Sequence, residues 1–153
     1  MSELKSFSEF TNRVGVDLGS SQIRIYVKNK GIILSENSAA VIDNASNMIV
    51  NFGTEALVRY HGAPEKYSLE WPMKSGVMAD YHLTRDMLRY FLGKALHQSV
   101  SRPAVMMGIP SSLSSVGRHA LIDAVLHAGA RKVYLIHASA AAAAENTGRN
   151  PRR

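Results

Sequence analysis

The chain has 153 residues, with 18 basic and 12 acidic side chains, and its formal net charge is +6. This length suits the core of one ordinary domain and falls well short of a two-lobed enzyme. The absence of cysteine excludes disulfides, cysteine–zinc sites and thiol catalysis, and fits a reducing compartment. Arg149, Arg152 and Arg153 supply three of the six charge units. Because the rest of the chain has no cation-rich run with interleaved aromatics, nucleic-acid binding is not expected.

The first 11 residues contain a short apolar pattern, with Leu4, Phe7 and Phe10 spaced near one face of a helix. One interpretation is an amphipathic helix that lies in a membrane interface. The other is a frayed or disordered segment. These residues alone favour it, because one Lys against two Glu gives little attraction to anionic lipid. No apolar run is long enough to span a bilayer.

Short apolar runs then predict β-strands. Residues 14–17, 23–27 and 32–34 read as a three-stranded meander, and further strands are expected at 40–42 and 48–50. In the second half, strands at 104–109 and 133–136 alternate with helices, which predicts parallel strands joined by right-handed crossovers. The expected fold class is α/β, a mixed sheet with flanking helices.

Helices are predicted from apolar stripes at helical spacing. The first should begin with Thr84 as its N-cap and end before Pro103. The second should be capped by Ser114 or Ser115 and stop at Gly129. Its apolar face is expected to contain Val116, Ala120, Leu121, Ala124, Val125 and Ala128. The alanine-rich segment to Glu145 predicts a third helix.

The sharpest local signal is an apolar strand that ends in a carboxylate, followed by glycine and hydroxyl residues. Gly19 would let the backbone approach a polyphosphate, the N–H groups of Ser20, Ser21 and Gln22 could point at its oxygens, and Asp17 could hold Mg²⁺ through water. The alternative is a plain hairpin turn, which residues 14–22, taken alone, slightly favour.

Residues 14–21, Val-Gly-Val-Asp-Leu-Gly-Ser-Ser, resemble the first phosphate loop of the actin-like ATPase superfamily, and in particular of the bacterial actins of the rod-shape-determining MreB type. The segments 26–34, 71–81, 87–91, 109–111 and 128–136 are similar to further motifs of that family, in the same order. Several ordered motifs are far more specific than one loop.

The resemblance implies the first lobe of an actin-like fold, related to ribonuclease H. Subdomain IA would comprise 12–35 and 72–145, and a small subdomain IB would be inserted at 36–71. Residues 1–11 would be an N-terminal segment, which the resemblance makes a credible membrane anchor through Leu4, Phe7 and Phe10. The basic tail at 146–153 resembles nothing in the family. The second lobe, with the other phosphate loop and the adenosine pocket, would be absent.

Three departures from the family pattern bear on activity. The family has a glutamate that positions the attacking water where this chain has Ala138, which cannot polarise water. His137 precedes it, and a lone histidine there is more often structural than a substitute base. Gly117 replaces a usual acidic residue, and Asn37-Ser38 replaces the usual Pro-Ser at the start of the insertion.

The leading hypothesis is therefore a bacterial-actin-like cytoskeletal protein, of which this chain is the first lobe. The resemblance implies ATP and Mg²⁺ as ligands. Because hydrolysis is expected to be impaired, it stays open whether the chain is an enzyme. Implied partners are further copies or a full-length bacterial actin, the inner membrane surface and cell-wall elongation proteins. The implied location is cytoplasmic, or peripheral on the inner face of the cell membrane. The alternative is a non-catalytic module that binds or caps actin-like filaments. A small-molecule kinase would need a second lobe and a substrate-binding insertion, neither of which the sequence shows.

Overall fold

A computed structural model describes residues 12–97 and 102–137. The predictions for Leu4, Phe7 and Phe10, the third helix, Ala138 and the basic tail lie outside these residues. In chain order the elements are β1 (Arg13–Leu18), β2 (Gln22–Val27), β3 (Gly31–Asn37), β4 (Ala40–Asp43), β5 (Met48–Phe52), α1 (Thr54–Gly62), β6 (Tyr67–Glu70), β7 (Met73–Lys74), β8 (Val77–Met78), α2 (Tyr81–Ala95), β9 (Ala104–Ile109), α3 (Ser115–His127) and β10 (Lys132–His137).

The main sheet has five strands in the order β10-β9-β1-β2-β3. Strands β1, β2 and β3 form the predicted antiparallel meander, whereas β9 and β10 run parallel to β1. Alternate residues of β1 and β2, such as Val14, Val16 and Ile25, are buried in one core with Met87, Phe91 and Leu121 of α2 and α3. The expected mixed sheet with flanking helices is confirmed.

Helix α2 begins earlier than predicted, because its N-cap is Asp80 and not Thr84. An Asp80 carboxylate oxygen accepts a hydrogen bond from the Leu83 N–H at 2.9 Å, which satisfies one of the free donors of the first turn. Thr84 is fully buried one turn into the helix, where its hydroxyl donates to the Asp80 carbonyl at 2.7 Å. Both residue types can cap a helix, and the extended backbone of Asp80 selects it.

Helix α3 is capped by Ser114, one of the two predicted residues, whose hydroxyl oxygen accepts the Gly117 N–H at 3.1 Å. Val116 was expected on the apolar face of this helix, and that prediction is wrong because its side chain is 80% exposed. Val116 lies in the first turn of the helix, whereas the buried residues of the helix, Leu121, Ala124 and Val125, lie further along. Within the described residues, no helix combines the length and apolar character that crossing a bilayer requires.

A small second sheet has the strand order β5-β4-β6, and α1 packs against it. The sequence predicted β4 and β5 but missed α1 and β6. Helix α1 buries only Ala56 completely, and its N-cap residue, Gly53, makes no side-chain cap bond. The capping residue that reveals the start of a helix in a sequence is therefore missing here, and the helix is short.

The cap of α1 comes instead from Glu36, at the end of β3. One Glu36 carboxylate oxygen accepts the Thr54 N–H at 3.0 Å and the Thr54 hydroxyl at 2.8 Å. The other lies 3.8 Å from Nζ of Lys94, near the end of α2. Glu36 thus ties the main sheet, α1 and α2 together where the chain passes into the small sheet.

We expect Glu36→Gln to lower the free energy of unfolding by about 1–2 kcal/mol near neutral pH, because the charged acceptor is lost. Burial raises the pKa of Glu36, but the two Thr54 hydrogen bonds and the Lys94 charge outweigh it, so the pKa lies below its ordinary value of 4.5. A carboxylate with a lowered folded-state pKa stabilises the fold above its unfolded pKa and loses that effect as pH falls through the folded value.

Urea unfolding of both proteins at a series of pH values measures this effect. The stability difference should be constant near neutral pH and shrink once the pH falls below about 4.5. Glu70→Gln, at an exposed carboxylate in β6, is the matched control and should show no such trend. A difference that does not change with pH would contradict the assignment.

Candidate functional site

The turn between β1 and β2 is the centre of the site. The Gly19 N–H donates to the Gln22 carbonyl at 2.8 Å, which closes a tight turn around Ser20 and Ser21. A Cβ added to Gly19 would lie 3.3 Å from that carbonyl oxygen, closer than side-chain carbons normally come. Glycine therefore fits this close backbone approach without displacing the Gln22 carbonyl. The Gly19 N–H is committed to the turn and is not a donor for a ligand.

Ser38 holds this turn from behind. It is fully buried, its N–H donates to the Ser21 carbonyl at 3.0 Å, and its hydroxyl donates to the Gly19 carbonyl at 3.1 Å. Sequence reasoning treated Asn37-Ser38 as a departure at the start of the insertion and missed this role. The only signal was a hydroxyl residue directly before a run of small apolar residues.

We expect Ser38→Ala to destabilise the protein by about 1 kcal/mol, because the Gly19 carbonyl loses its buried donor. The turn should also become more mobile, which amide hydrogen exchange at Ser20 and Ser21 would report as faster exchange. The matched control is Ser112→Ala at an exposed position, where neither quantity should change. Unaltered exchange in Ser38→Ala would show that backbone hydrogen bonds alone fix the turn.

A cavity of about 210 Å³ opens beside the turn. It lies at the carboxyl ends of the parallel strands β1 and β9, which is where ligands bind in sheets of this kind. Three of the residues predicted to form the phosphate site line this cavity together: Asp17, Gly19 and Ser20. The other lining residues are Leu18, Met73, Gly76, Met107, Gly108, Ile109, Pro110, Leu113 and Leu121.

Ser21 and Gln22, which were also predicted to hold phosphate, are not among the residues that line this cavity. The Ser21 carbonyl is bound by Ser38, and the Gln22 side-chain oxygen accepts a hydrogen bond from Arg24 at 3.2 Å. The cavity therefore has an apolar floor and a polar rim formed by one short segment, Asp17 to Ser20.

Asp17 is the acidic group of this rim. Its side chain is exposed, and no hydrogen bond or ion pair joins its carboxylate to another residue in the described part of the chain. No cluster of three or more acidic or histidine side chains suited to a metal occurs in that part either. A cation here would be held by Asp17, water and a bound anion together, which is how Mg²⁺ usually binds beside phosphates.

One wall of the cavity is the β7–β8 hairpin, which the sequence analysis did not predict as strands. Its two central residues, Ser75 and Gly76, have φ values of 51° and 75°, as a type I′ turn requires. A Cβ added to Gly76 would lie 3.2 Å from Cγ of Pro110, so the turn packs closely on the end of β9. The Ser-Gly dipeptide was the available sequence signal.

Four features together define one lobe of the actin-like fold. They are a mixed five-stranded sheet with an antiparallel meander, two crossover helices, a second small sheet and a tight Gly-Ser turn over a cavity. Solved structures agree. MreB5 of Spiroplasma citri bound to AMPPNP has a TM-score of 0.77 at 23% identity, over 93% of this chain and 43% of that one. The MamK double helical filament has a TM-score of 0.66 at 15% identity, over 82% of this chain and 41% of that one.

The chain belongs to the MreB/Mbl protein family, whose match extends over residues 11–147. The cell shape-determining protein MreB of Pasteurella multocida is 36% identical over 140 residues, 88% of this chain and 40% of that protein. The cell shape-determining protein Mbl of Bacillus cereus is 34% identical over 127 residues, 82% of this chain and 38% of that protein. The chain thus spans about 40% of the length of these curated relatives.

Proposed function

We propose that this chain is the nucleotide-binding first lobe of an actin-like cytoskeletal protein that takes part in determining cell shape. The observation that carries the proposal is the position of Asp17, Gly19 and Ser20 at the mouth of a cavity, at the carboxyl ends of β1 and β9. The family relationship supports the cellular role, since the related MreB and Mbl are cell shape-determining proteins.

The proposed ligand is ATP with Mg²⁺. Asp17 would hold the metal through water, and the backbone N–H groups around Ser20, Ser21 and Gln22 would face the phosphates from the turn, although Ser20 is the one of these three that lines the cavity. Two features of the structure fit this ligand: a carboxylate of Asp17 with no partner among the described residues, and a close backbone approach at Gly19 that leaves little room for a side chain. The AMPPNP-bound and ADP-bound states of MreB5 support a nucleotide in this fold. When bound, Mg²⁺ neutralises phosphate charge, and the lobe supplies the orientation.

We propose that the chain binds nucleotide weakly and hydrolyses it poorly. The described residues contribute a rim from a single turn, and the floor of the cavity is apolar. Ala138, which follows β10 in the sequence, replaces the glutamate that the family uses to position water, and alanine offers no such group.

The two sheets support a division into an IA-like unit, at 12–35 and 72–145, and an inserted IB-like unit, at 36–71. The main sheet comes from β1–β3, β9 and β10, and the small sheet from β4–β6. In this proposal 1–11 is a membrane-anchoring segment with Leu4, Phe7 and Phe10 as contacts, and the protein is cytoplasmic and peripheral on the inner membrane face, near cell-wall elongation proteins.

Self-association, or assembly with a full-length bacterial actin, is the proposed mode of action. The filament formed by the structurally similar MamK supports it. The second candidate is a non-catalytic module that binds or caps such filaments, and it is favoured by a cavity whose polar rim comes from a single turn.

Co-sedimentation with a full-length MreB relative, with and without Mg-ATP, tests these alternatives. If the chain sediments by itself when Mg-ATP is added, it is a filament former in its own right. If it sediments only with the relative, and equally without nucleotide, the module is correct. If it stays in the supernatant in every mixture, both forms of the assembly proposal are wrong.

A further inference from the structure

Arg24 is a cation beside the proposed phosphate turn, and the sequence analysis did not single it out. It lies on β2, directly opposite Asp17 of β1 in the antiparallel register. Residues that face each other in this way have Cβ atoms about 4.5–5.5 Å apart and project from the same face of the sheet. Arg24 and Asp17 are therefore side-by-side neighbours at the end of the sheet where the site lies.

Both side chains stand on the face of the main sheet that is turned away from α2 and α3. The residues on either side of Arg24, Ile23 and Ile25, are fully buried in the core that contains these helices. Both neighbours of Asp17 are buried in the same core. Because side chains alternate along a strand, the exposed Arg24 and Asp17 lie on the opposite face.

The guanidinium of Arg24 is directed toward the phosphate turn. Its Nη2 donates a hydrogen bond to the Gln22 side-chain oxygen at 3.2 Å. The Gln22 carbonyl is the group that closes the turn by accepting the Gly19 N–H. Long side chains also reach the residue two positions along the partner strand from their direct neighbour, which for Arg24 is Gly19. The cation is therefore held beside backbone that lines the mouth of the cavity.

Arg24 and Asp17 carry opposite charges but do not pair with each other. Within the described residues, neither takes part in a salt bridge. The other residues in the same rows of this face are neutral, since Ser35 pairs with Arg24 and Asn37 pairs with Gln22. A carboxylate and a guanidinium that stand side by side without joining offer one ligand for a cation and one for an anion.

We propose that Arg24 is a phosphate ligand of the nucleotide site and holds the polyphosphate of Mg-ATP beside the metal at Asp17. A guanidinium suits this role because it stays charged and can donate two parallel hydrogen bonds to phosphate oxygens. The inference rests on the proposed nucleotide-binding function. It adds a cationic side chain to a rim that otherwise consists of one carboxylate and the backbone of the turn.

A structural role for Arg24 is the main alternative. Opposite charges across a strand pair, or the bond to Gln22, would stabilise the β1–β2 hairpin without any ligand. The contacts of Arg24 favour the ligand role. In the described part of the chain its side chain has one hydrogen bond, to a neutral amide oxygen, so most of its N–H donors face solvent and are available to an anion.

NMR titration of the ¹⁵N-labelled full chain with Mg-AMPPNP tests the proposal. Arg24→Gln should lower the affinity about tenfold or more, because a charge-assisted contact with phosphate is lost. Arg24→Lys keeps the charge without the planar fork and should restore part of the affinity. The matched control is Lys30→Gln, at an exposed position beyond the far end of β2, which removes the same charge and should change the affinity little.

Inorganic tripolyphosphate with Mg²⁺ identifies the part of the nucleotide that Arg24 contacts. The Arg24 Nε–H signal, assigned by its absence in Arg24→Gln, should shift with this ligand as it does with Mg-AMPPNP. The substitution should weaken the binding of both ligands by the same factor. If it weakens only the binding of AMPPNP, Arg24 contacts the nucleoside and the assignment to phosphate is wrong.

Circular dichroism and thermal unfolding identify the variants that fold. If Arg24→Gln does not fold, Arg24→Lys carries the test, with a smaller loss of affinity expected. If the folded Arg24 variants bind Mg-AMPPNP like wild type while the amides of 17–22 still shift, Arg24 is structural and the proposed nucleotide site stands. If those amides do not shift in wild type, the site and the role of Arg24 both fail. An equal loss of affinity in Lys30→Gln would show that net charge sets the affinity, which would overturn the local contact.

Discussion

Gly53→Ala should lower the free energy of unfolding by about 3 kcal/mol or more. Gly53 has φ 76° and ψ −148°, a backbone conformation essentially restricted to glycine, and other residues pay strain of about 1–3 kcal/mol there. Space is also lacking, because an added Cβ would lie 2.9 Å from a Glu36 carboxylate oxygen and 3.2 Å from Cζ of Phe91. The substitution would disturb the junction of the two sheets and displace the carboxylate that caps α1.

Urea unfolding followed by circular dichroism measures this loss. The chain offers a matched control in Gly62→Ala, at the end of α1, where an added Cβ would meet no atom within 4 Å. That change should be neutral or stabilise by about 0.5 kcal/mol, since alanine loses less backbone entropy on folding. If Gly53→Ala unfolds at the same urea concentration as Gly62→Ala, the junction is not as rigid as described.

Phe91→Ala should destabilise the protein by about 3–5 kcal/mol, the usual cost of removing a large aromatic side chain from a packed core. Phe91 on α2 is fully buried. Its ring centroid lies 6.4 Å from that of Phe52, on β5 of the small sheet, and 5.1 Å from that of Tyr90. The side chain therefore joins the main core to the small sheet, and its loss should loosen both.

Two measurements separate this prediction from a general loss of stability. Urea unfolding gives the size of the effect, and Phe91→Leu should cost only about 1–1.5 kcal/mol because most of the volume is kept. Amide hydrogen exchange in β5 should become faster in Phe91→Ala than in Phe91→Leu. A cost below about 1 kcal/mol for Phe91→Ala would mean that another side chain fills the space.

The main sheet could be predicted from the sequence because its strands carry local signals. Each of these signals depends on residues that are close together in the sequence. Examples are the alternation of buried and exposed residues in β2, the apolar run of β9 and the serine cap of α3. Helix α1 could not be predicted this way. Its cap is Glu36, 18 residues earlier in the chain, and only the folded sheet brings that carboxylate to Thr54.

The same distinction applies to the site. Asp17, Gly19 and Ser20 are consecutive or nearly so, and their chemistry can be recognised from the turn alone. Ser38 cannot, because it acts on the turn from the end of the next hairpin, across 19 residues. The wall formed by Gly76 against Pro110 depends on a contact between distant segments. The residues of the rim can therefore be recognised from the local sequence. The residues that support the rim can be found only in the three-dimensional structure.

We propose the β1–β2 turn as the phosphate-binding half of a nucleotide site. NMR titration of the ¹⁵N-labelled chain with Mg-AMPPNP tests it most directly, because backbone amides report even weak binding. We expect weak affinity, about millimolar, with shifts concentrated in Asp17–Gln22, Gly76 and Gly108, and loss of these shifts in Asp17→Ala. Saturating shifts that leave these amides unchanged and cluster elsewhere, or none with excess nucleotide, would contradict it.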